Sequence, residues 1–248
     1  MADTQSWNTK SYQSDAGFVS VLGAGVVEWL DLQAGERILD LGCGDGVLTR
    51  SLVEAGAEVV GVDSSESFIQ TAKASGLDAR LMDGQVLEFN HEFDAVFTSA
   101  ALHWMLEPEL VLSGVVKSLK PHGRFVGEFG AFGNVGAIVA AMRAVGKSMG
   151  GDVSLAFPCF FPTVEQYSEL LKQHGFEIDE IISFARPTPV PNGIKPWLKV
   201  MGGAFFRQFG DREDEVYDLV IDALKPSLQD YQGNWTADYV RLRFRAHL

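Results

Sequence analysis

Three glycines at alternate positions, Gly42, Gly44 and Gly46, are the residues whose type and spacing point most directly to chemistry. They follow the apolar run Ile38-Leu39-Asp40-Leu41, which predicts a buried strand with an acid near its end. Glycine carries no side chain, so a turn built from it lets the backbone come close to a small ligand. We therefore expect a ligand to be held where this strand ends.

The spacing of these glycines excludes the dinucleotide fingerprint G-x-G-x-x-G, whose third glycine would have to fall at Val47. Gly46 instead completes an acid-x-Gly-x-Gly-x-Gly pattern that begins at Asp40. Apolar residues at helical spacing then run from Val47 up to Gly56. The glycines are therefore predicted to lie between a strand and the N-terminus of a helix.

Polar residues or glycines end three further predicted strands, at 59–62, 79–82 and 93–97. Asp63 ends the first of them, at the position where an open α/β sheet accepts hydrogen bonds from a pair of ribose hydroxyls. Ser64 and Ser65 can cap the helix that follows. The residues expected to contact a ligand at these strand ends are Gly42, Cys43, Gly44, Asp63, Ser64, Asp83, Gly84, Gln85 and Ser99.

These segments resemble the class I S-adenosylmethionine-dependent methyltransferases. The resemblance is carried by residues 38–46, 60–65, 83–84 and 100–105. The last segment, together with Trp7, Tyr12 and residues 123–126, resembles the trans-aconitate methyltransferase branch. The resemblance covers about the first 130 residues, Thr163 to Ile182 and the C-terminal strand. The resemblance implies S-adenosylmethionine as the cofactor, and we expect no metal. Tyr12 is expected to contact the cofactor from an N-terminal flap, the alternative being that this segment is a disordered arm.

Several of these positions have a structural alternative beside the functional one. Asp63 is expected to bind the ribose, whereas Asp83 binds the adenine amino group or acts as an ordinary helix N-cap. The resemblance implies that Asp40 touches the methionine end indirectly, and holding the turn is equally plausible. Cys43 is expected to act through its backbone, because no base that could form a thiolate is nearby. Asp45 is expected to complement a helix dipole.

His103 and Trp104 are the candidates for catalysis, since they follow the fourth predicted strand immediately. That position places them beside the expected methyl group. The alternative is that Trp104 packs under a cap and that His103 satisfies a backbone carbonyl.

The composition indicates which partners to expect. The 248 residues include 20 basic and 33 acidic ones, for a net charge of −13, which disfavours nucleic acid and anionic membranes but not a small anion in a locally basic pocket. Two cysteines give no disulfide framework. Neither a long apolar run nor a signal peptide is apparent, so we expect a cytoplasmic protein.

The predicted fold is α/β, a doubly wound seven-stranded sheet that is mostly parallel, with an antiparallel last strand and a helical cap formed by insertions. Further elements are predicted as helices at 17–30 and 107–119, a capping box at 163–166, and strands at 124–129, 176–184 and 235–244. The predicted parts are a cofactor-binding core with flap at 1–132, cap insertions at 133–162 and 187–232, and core segments at 163–186 and 233–248. The cap is rich in aromatic residues, which either form its own core or line a substrate pocket.

Chemistry favours a carboxylate as the methyl acceptor, because a carboxylate is already deprotonated at neutral pH and needs no base. A phenol or amine would need one, and His103 would be the candidate. Alternatives are methylation of oxygen or nitrogen in a hydrophobic metabolite, acyl-chain cyclopropanation, or a role without methyl transfer. A small-molecule substrate is expected, and the sequence leaves the oligomeric state open. The arginines that could grip a carboxylate are Arg143, Arg186, Arg207 and Arg241.

Overall fold

A computed structural model describes residues 24–248 of the chain. Its seven strands are β1 (Arg37–Leu41), β2 (Glu58–Asp63), β3 (Asp78–Leu81), β4 (Phe93–Ser99), β5 (Leu119–Gly130), β6 (Glu177–Pro189) and β7 (Thr236–His247). They form one sheet in the order β3-β2-β1-β4-β5-β7-β6. Strands β1 to β5 pair in parallel, and β7 is antiparallel to β5. The predicted mostly parallel sheet with an antiparallel last strand is confirmed.

Helices alternate with the strands of the parallel half, as the sequence predicts. The helices are α1 (Ala24–Leu30), α2 (Val47–Glu54), α3 (Glu66–Ala74), α4 (Pro108–Ser118), α5 (Gly136–Ser148), α6 (Val164–Gln173), α7 (Ile194–Arg207) and α8 (Glu213–Leu228). Short 3-10 turns occupy Leu102–Trp104, Val153–Leu155 and Gly210–Arg212. The first part of the predicted helix at 17–30, and the aromatic residues Trp7 and Tyr12, lie outside the described residues.

The central strands are buried because helices cover the sheet, which is why their sequences are almost continuously apolar. Ile38 of β1, Ala95 and Phe97 of β4 and Val126 of β5 belong to one hydrophobic cluster, together with Leu52 of α2. This cluster fixes the strands relative to one another, so the residues that follow their carboxyl ends are held on a rigid edge.

Strand β6 is longer than predicted. It runs to Pro189 rather than ending near Phe184, and therefore passes Pro187, where an insertion was expected to begin. Proline cannot donate to a ladder, but an edge strand can carry it, and β6 lies at the edge of the sheet. The insertion boundary predicted at Pro187 therefore falls inside this strand.

The described residues fall into two compact units. The core unit comprises residues 24–132, Cys159–Phe184 and Arg241–Leu248, and the second unit comprises Gly133–Pro158 and Ala185–Val240. In the second unit Phe157 stacks on Trp197, whose Nε1 donates a hydrogen bond to the Tyr239 hydroxyl over 2.9 Å. Phe205 and Phe206 are also fully buried there. These rings form the unit's own core, the simpler of the two roles left open; whether the unit caps the cofactor site stays a prediction.

Candidate active site at the strand ends

The glycine turn between β1 and α2 adopts a backbone that only glycine accepts easily. Gly42, Gly44 and Gly46 all have positive φ, at 77°, 55° and 86°. A Cβ on Gly42 would collide with Ala101, whereas a Cβ on Gly44 would meet no atom within 4 Å. Gly42 is therefore required for packing, and the face of Gly44 is open to a ligand.

Asp63 joins this turn to the end of β2. Its Oδ2 accepts a hydrogen bond from the Gly44 N–H over 3.0 Å, and its Oδ1 accepts one from the Ser65 N–H over 2.8 Å. Burial raises the pKa of the Asp63 carboxyl, opposed by these backbone N–H groups. Each carboxylate oxygen can accept a further hydrogen bond, so the pair suits a vicinal diol.

The serines after Asp63 do not cap the next helix through their side chains, which corrects the prediction. Ser65 is the N-cap residue of α3 but makes no side-chain capping bond, and its hydroxyl instead shares a hydrogen bond with Ser67. The N–H of Ser65 itself donates to the Asp63 carboxylate. Ser64 is exposed at the same strand end.

Asp83 lies in a turn after β3 and caps no helix, so the N-cap alternative is wrong. Its Oδ1 accepts a hydrogen bond from the Gln85 N–H over 2.9 Å, which is an Asx turn. The Gln85 side chain donates to both Asp83 oxygens at 3.3 Å and accepts from the Glu107 N–H over 2.9 Å. Gly84 is buried, and a Cβ there would lie 2.6 Å from the Met105 side chain. The turn is thus anchored to the start of α4.

The chain turns sharply after Ser99, the half-buried last residue of β4. Ala100 has a positive φ of 56°, which is strained for a residue with a side chain, and its N–H donates to the Glu128 carbonyl over 2.7 Å. This turn directs the following residues, Leu102 to Trp104, toward the ends of the neighbouring strands β1 and β5.

Beneath the glycine turn, Asp40 is fully buried and accepts a hydrogen bond from the Thr49 hydroxyl over 2.6 Å. Burial raises the pKa of the Asp40 carboxyl to about 7, and the charge of Asp63 adds to this. Burial also raises the pKa of the Cys43 thiol, which therefore stays protonated, in line with a backbone role. Asp45 accepts a 3.4 Å hydrogen bond from Val47 at the start of α2, as expected for an acid near a helix N-terminus.

The raised pKa of Asp40 predicts a pH-dependent stability. Below pH 3.8 the Asp40 carboxyl is protonated in both the folded and the unfolded chain. Between about pH 4 and 7 it is protonated only in the folded chain, so the free energy of unfolding falls as the pH rises through this range. Asp40→Asn has no carboxyl group at this position, so it does not lose this stability as the pH rises. We expect the free energy of unfolding of Asp40→Asn, relative to wild type, to rise by about 2 to 3 kcal/mol between pH 5 and 8 in urea titrations.

The matched control for this pH experiment is Asp78→Asn. Arg80 lowers the pKa of Asp78, an exposed acid, so this group is ionised in both states above pH 5. Its stability profile should run parallel to that of wild type. A parallel profile for Asp40→Asn as well would show that Asp40 is ionised in the folded chain.

His103 is buried in the 3-10 turn after β4, and its ring is held by the backbone of β5. The Gly130 N–H donates a hydrogen bond to His103 Nδ1 over 3.2 Å. Burial, and then the positive charge of Arg241, lower the pKa of His103 well below its ordinary value. The ring is therefore neutral with its proton on Nε2. The sequence left open that His103 satisfies a backbone carbonyl, but at Nδ1 the ring accepts from a backbone N–H.

The four candidate arginines occupy different environments. Arg143 and Arg207 are exposed, and Arg186 is half-buried. Arg241 is only 4% exposed, and it pairs with Gly130 in the ladder between β5 and β7. Gly130 also holds His103, so Arg241 and His103 meet the same residue of β5. The positive charge of Arg241 contributes to the lowered pKa of His103.

Two aromatic side chains flank the His103 ring. The ring centroids of Trp104 and Phe161 lie 5.2 and 5.7 Å from that of His103. The Phe160 N–H donates to the His103 carbonyl over 2.9 Å, which attaches this segment to the turn. The sequence placed Phe161 in a cap insertion, yet it belongs to the core unit. No local pattern could have shown this, because the contact joins distant parts of the chain.

Two general features of residues 24–248 bear on function. None of their helices has the length and apolar character needed to cross a membrane. Over the same range, no three or more His, Cys, Asp or Glu side chains are grouped as a metal site would require.

Methyltransferases are among the known proteins that are similar to this chain. A family model described as a methyltransferase domain matches residues 39–127. An uncharacterized methyltransferase of Schizosaccharomyces pombe is 36% identical over 253 residues, covering 97% of each chain. The trans-aconitate 2-methyltransferase of Mycobacterium tuberculosis is 27% identical over 179 residues, covering 70% of this chain and 69% of that one.

Among solved structures, phosphoethanolamine N-methyltransferase 2 of Haemonchus contortus, in complex with phosphomonomethylethanolamine and S-adenosylhomocysteine, has the same fold. Its TM-score is 0.60 at 17% identity, covering 97% of this chain and 56% of the other. The matched domain spans the glycine turn, Asp63 and the turn that carries His103. With a relative 36% identical along nearly its whole length, this chain belongs to the class I S-adenosylmethionine-dependent methyltransferases and is an enzyme of that family.

Proposed function

We propose that this methyltransferase esterifies the carboxylate of a small organic acid. The observation that carries the proposal is a buried guanidinium, Arg241, beside a neutral histidine, His103. A planar guanidinium suits a carboxylate, because it donates two parallel hydrogen bonds. The distant likeness to trans-aconitate 2-methyltransferase supports a small organic acid as substrate, and membership of that branch is part of the proposal.

The residues at the strand ends fit S-adenosylmethionine. The open face of Gly44 admits the ligand close to the backbone, and the two Asp63 oxygens suit the ribose hydroxyls. The Asp83 carboxylate, exposed beside buried Gly84, would accept from the adenine amino group. The other residues proposed to line the cofactor are Gly42, Cys43, Ser64, Gln85 and Ser99, with Tyr12 outside the described part of the chain.

When bound, S-adenosylmethionine supplies an electrophilic methyl group, which a substrate carboxylate oxygen takes up as the carbon–sulfur bond breaks with its electron pair on sulfur. The positive charge of the sulfonium and the negative charge of the carboxylate cancel, so no proton is moved. The task left to the protein is alignment and exclusion of water. Arg241 would hold the carboxylate, and His103 Nε2–H would donate to it.

A base role for His103 conflicts with its hydrogen bonding. The lone pair of Nδ1 accepts from Gly130, and Nε2 of the neutral ring carries the proton. Such a ring donates a hydrogen bond but accepts no proton without losing the Gly130 contact. This supports an acceptor that is already ionised over a phenol or an amine.

The pH dependence of the rate tests this proposal. Because the pKa of His103 lies well below 6.5, the ring stays neutral throughout pH 7 to 9. We expect kcat/KM for a carboxylic acid to change by less than about twofold over this range. In His103→Asn, which retains a donor, KM should rise more than kcat falls.

The product identifies the acceptor directly. S-adenosylhomocysteine and a base-labile methyl ester should form in equal amounts by mass spectrometry. A rate that climbs steeply from pH 7 to 9 and collapses in His103→Asn would show general-base catalysis on a hydroxyl or amine instead. Cofactor turnover without a methylated product would indicate a role without methyl transfer.

A small-molecule substrate, rather than nucleic acid or a membrane surface, is part of the same proposal. The net charge of −13 supports it, since such a surface repels polyanions. A cytoplasmic location stays a prediction from the sequence.

A further inference from the structure

We propose that the acid is an aryl or aryl-alkenyl monocarboxylic acid, and that Phe161 determines this specificity. The inference rests on the proposed carboxylate methylation and adds the nature of the rest of the substrate. It follows from the side chains that flank His103 in the core unit.

The aromatic rings of this part of the core unit differ in exposure. Trp104, Phe160 and Phe161 are half-buried, whereas Phe129 and Tyr167 are fully buried. A fully buried ring contributes to the core, but a half-buried ring has a face that a second flat molecule can cover. Aromatic rings attract one another in offset or edge-to-face geometry beyond simple burial.

The segment that carries Phe161 is held firmly in place. The Phe160 N–H donates to the His103 carbonyl over 2.9 Å, and the Phe132 N–H donates to the Pro162 carbonyl over 2.9 Å. The Phe160 ring is stacked on Phe129 with centroids 6.4 Å apart. Phe161 is thus fixed on both sides by backbone hydrogen bonds. A ring held in advance loses little conformational entropy when it binds a ligand.

The charges at this site suit one carboxylate and not three. Among the residues that the structure describes, Arg241 is the charged group that lowers the pKa of His103. A neighbouring arginine on β7, Arg243, already pairs with Glu128 of β5, with contacts of 2.7 and 2.8 Å to one carboxylate oxygen. A second substrate carboxylate would lose its hydration against aromatic rings without a partner, which is costly. An acid with one carboxylate and a flat apolar remainder fits better than a polycarboxylate.

The test compares three acids as substrates of the full-length enzyme, with trideuteromethyl-labelled cofactor and mass spectrometry of the ester. trans-Cinnamate has a flat ring, 3-cyclohexylpropanoate has similar bulk without one, and trans-aconitate has three carboxylates. We expect kcat/KM for cinnamate to exceed that for cyclohexylpropanoate by about three- to tenfold, the gain typical of an aromatic pair. trans-Aconitate should be at least about tenfold poorer than cinnamate.

Variants assign the preference to Phe161. Phe161→Leu keeps apolar bulk without a π-face and should abolish the preference for cinnamate, while Phe161→Tyr should retain it. The matched control is Phe132→Leu, at a ring 71% exposed next to the same segment, which should leave the preference unchanged. Thermal melting of each variant shows whether it is folded.

The outcomes separate the two proposals. If Phe161→Leu keeps the preference, or if trans-aconitate is the best ester-forming substrate, the aromatic specificity is overturned and the carboxylate chemistry stands. If only phenols or amines are methylated, both proposals fail.

Discussion

Replacing Asp63 by alanine should weaken the binding of S-adenosylmethionine by about 1.5 to 3 kcal/mol, the usual contribution of hydrogen bonds to a charged group. The Asp63 carboxylate lies at the end of β2 beside the glycine turn, and each of its oxygens can accept a hydrogen bond beyond the backbone one that it already accepts. Isothermal titration calorimetry measures the change. The binding of S-adenosylhomocysteine should weaken by a similar amount, because this molecule has the same ribose.

The control for Asp63 is Glu58→Ala, which removes an exposed carboxylate from the other end of the same strand. Its affinity for the cofactor should equal that of wild type. Asp63 also accepts from Gly44 and Ser65, so the thermal stability of Asp63→Ala must be compared as well. Unchanged affinity in a folded Asp63→Ala would remove the ribose assignment.

Replacing Arg241 by methionine should lower kcat/KM for the acid roughly 30- to 5,000-fold. This corresponds to a loss of about 2 to 5 kcal/mol in binding free energy, as for other buried charged contacts that lose one partner. Methionine has similar length and no charge. The affinity for S-adenosylmethionine should stay within about twofold of wild type, because Arg241 is proposed to bind the substrate alone. Steady-state kinetics and calorimetry together separate the two effects.

Two further variants make the Arg241 prediction specific. Arg143→Met removes an exposed arginine and should retain wild-type activity. Arg241→Lys keeps the charge without the planar fork and should fall between wild type and Arg241→Met. Full activity in a folded Arg241→Met would refute the role of this residue and, with it, the main support for a carboxylate substrate.

Local patterns predicted those features in which neighbours in the chain make the contacts. The capping box of α6 forms as predicted, with Thr163 and Gln166 each accepting the other's backbone N–H. The glycine turn has the positive φ angles that its composition suggests. Asp63 meets Gly44 because one strand–helix–strand unit brings consecutive parallel strand ends together.

Where one local pattern serves two structures, the sequence could not distinguish them. Asp83 belongs to an Asx turn rather than a helix N-cap, since both use a carboxylate that accepts a nearby N–H. Ser65 occupies an N-cap position without capping, and its hydroxyl shares a hydrogen bond with the Ser67 hydroxyl instead. The length of β6 depended on its place at the sheet edge, which no residue of β6 encodes alone.

The sequence by itself determined the family, the sheet and the strand ends that we propose to face the cofactor, because short-range periodicity and glycine spacing encode them. Only the tertiary structure decided the state and surroundings of His103. The Gly130 contact fixes its tautomer, burial and Arg241 keep it neutral, and Phe161 flanks its ring. These partners come from segments far apart in the chain, and burial, which sets the pKa, exists only once those segments have packed together.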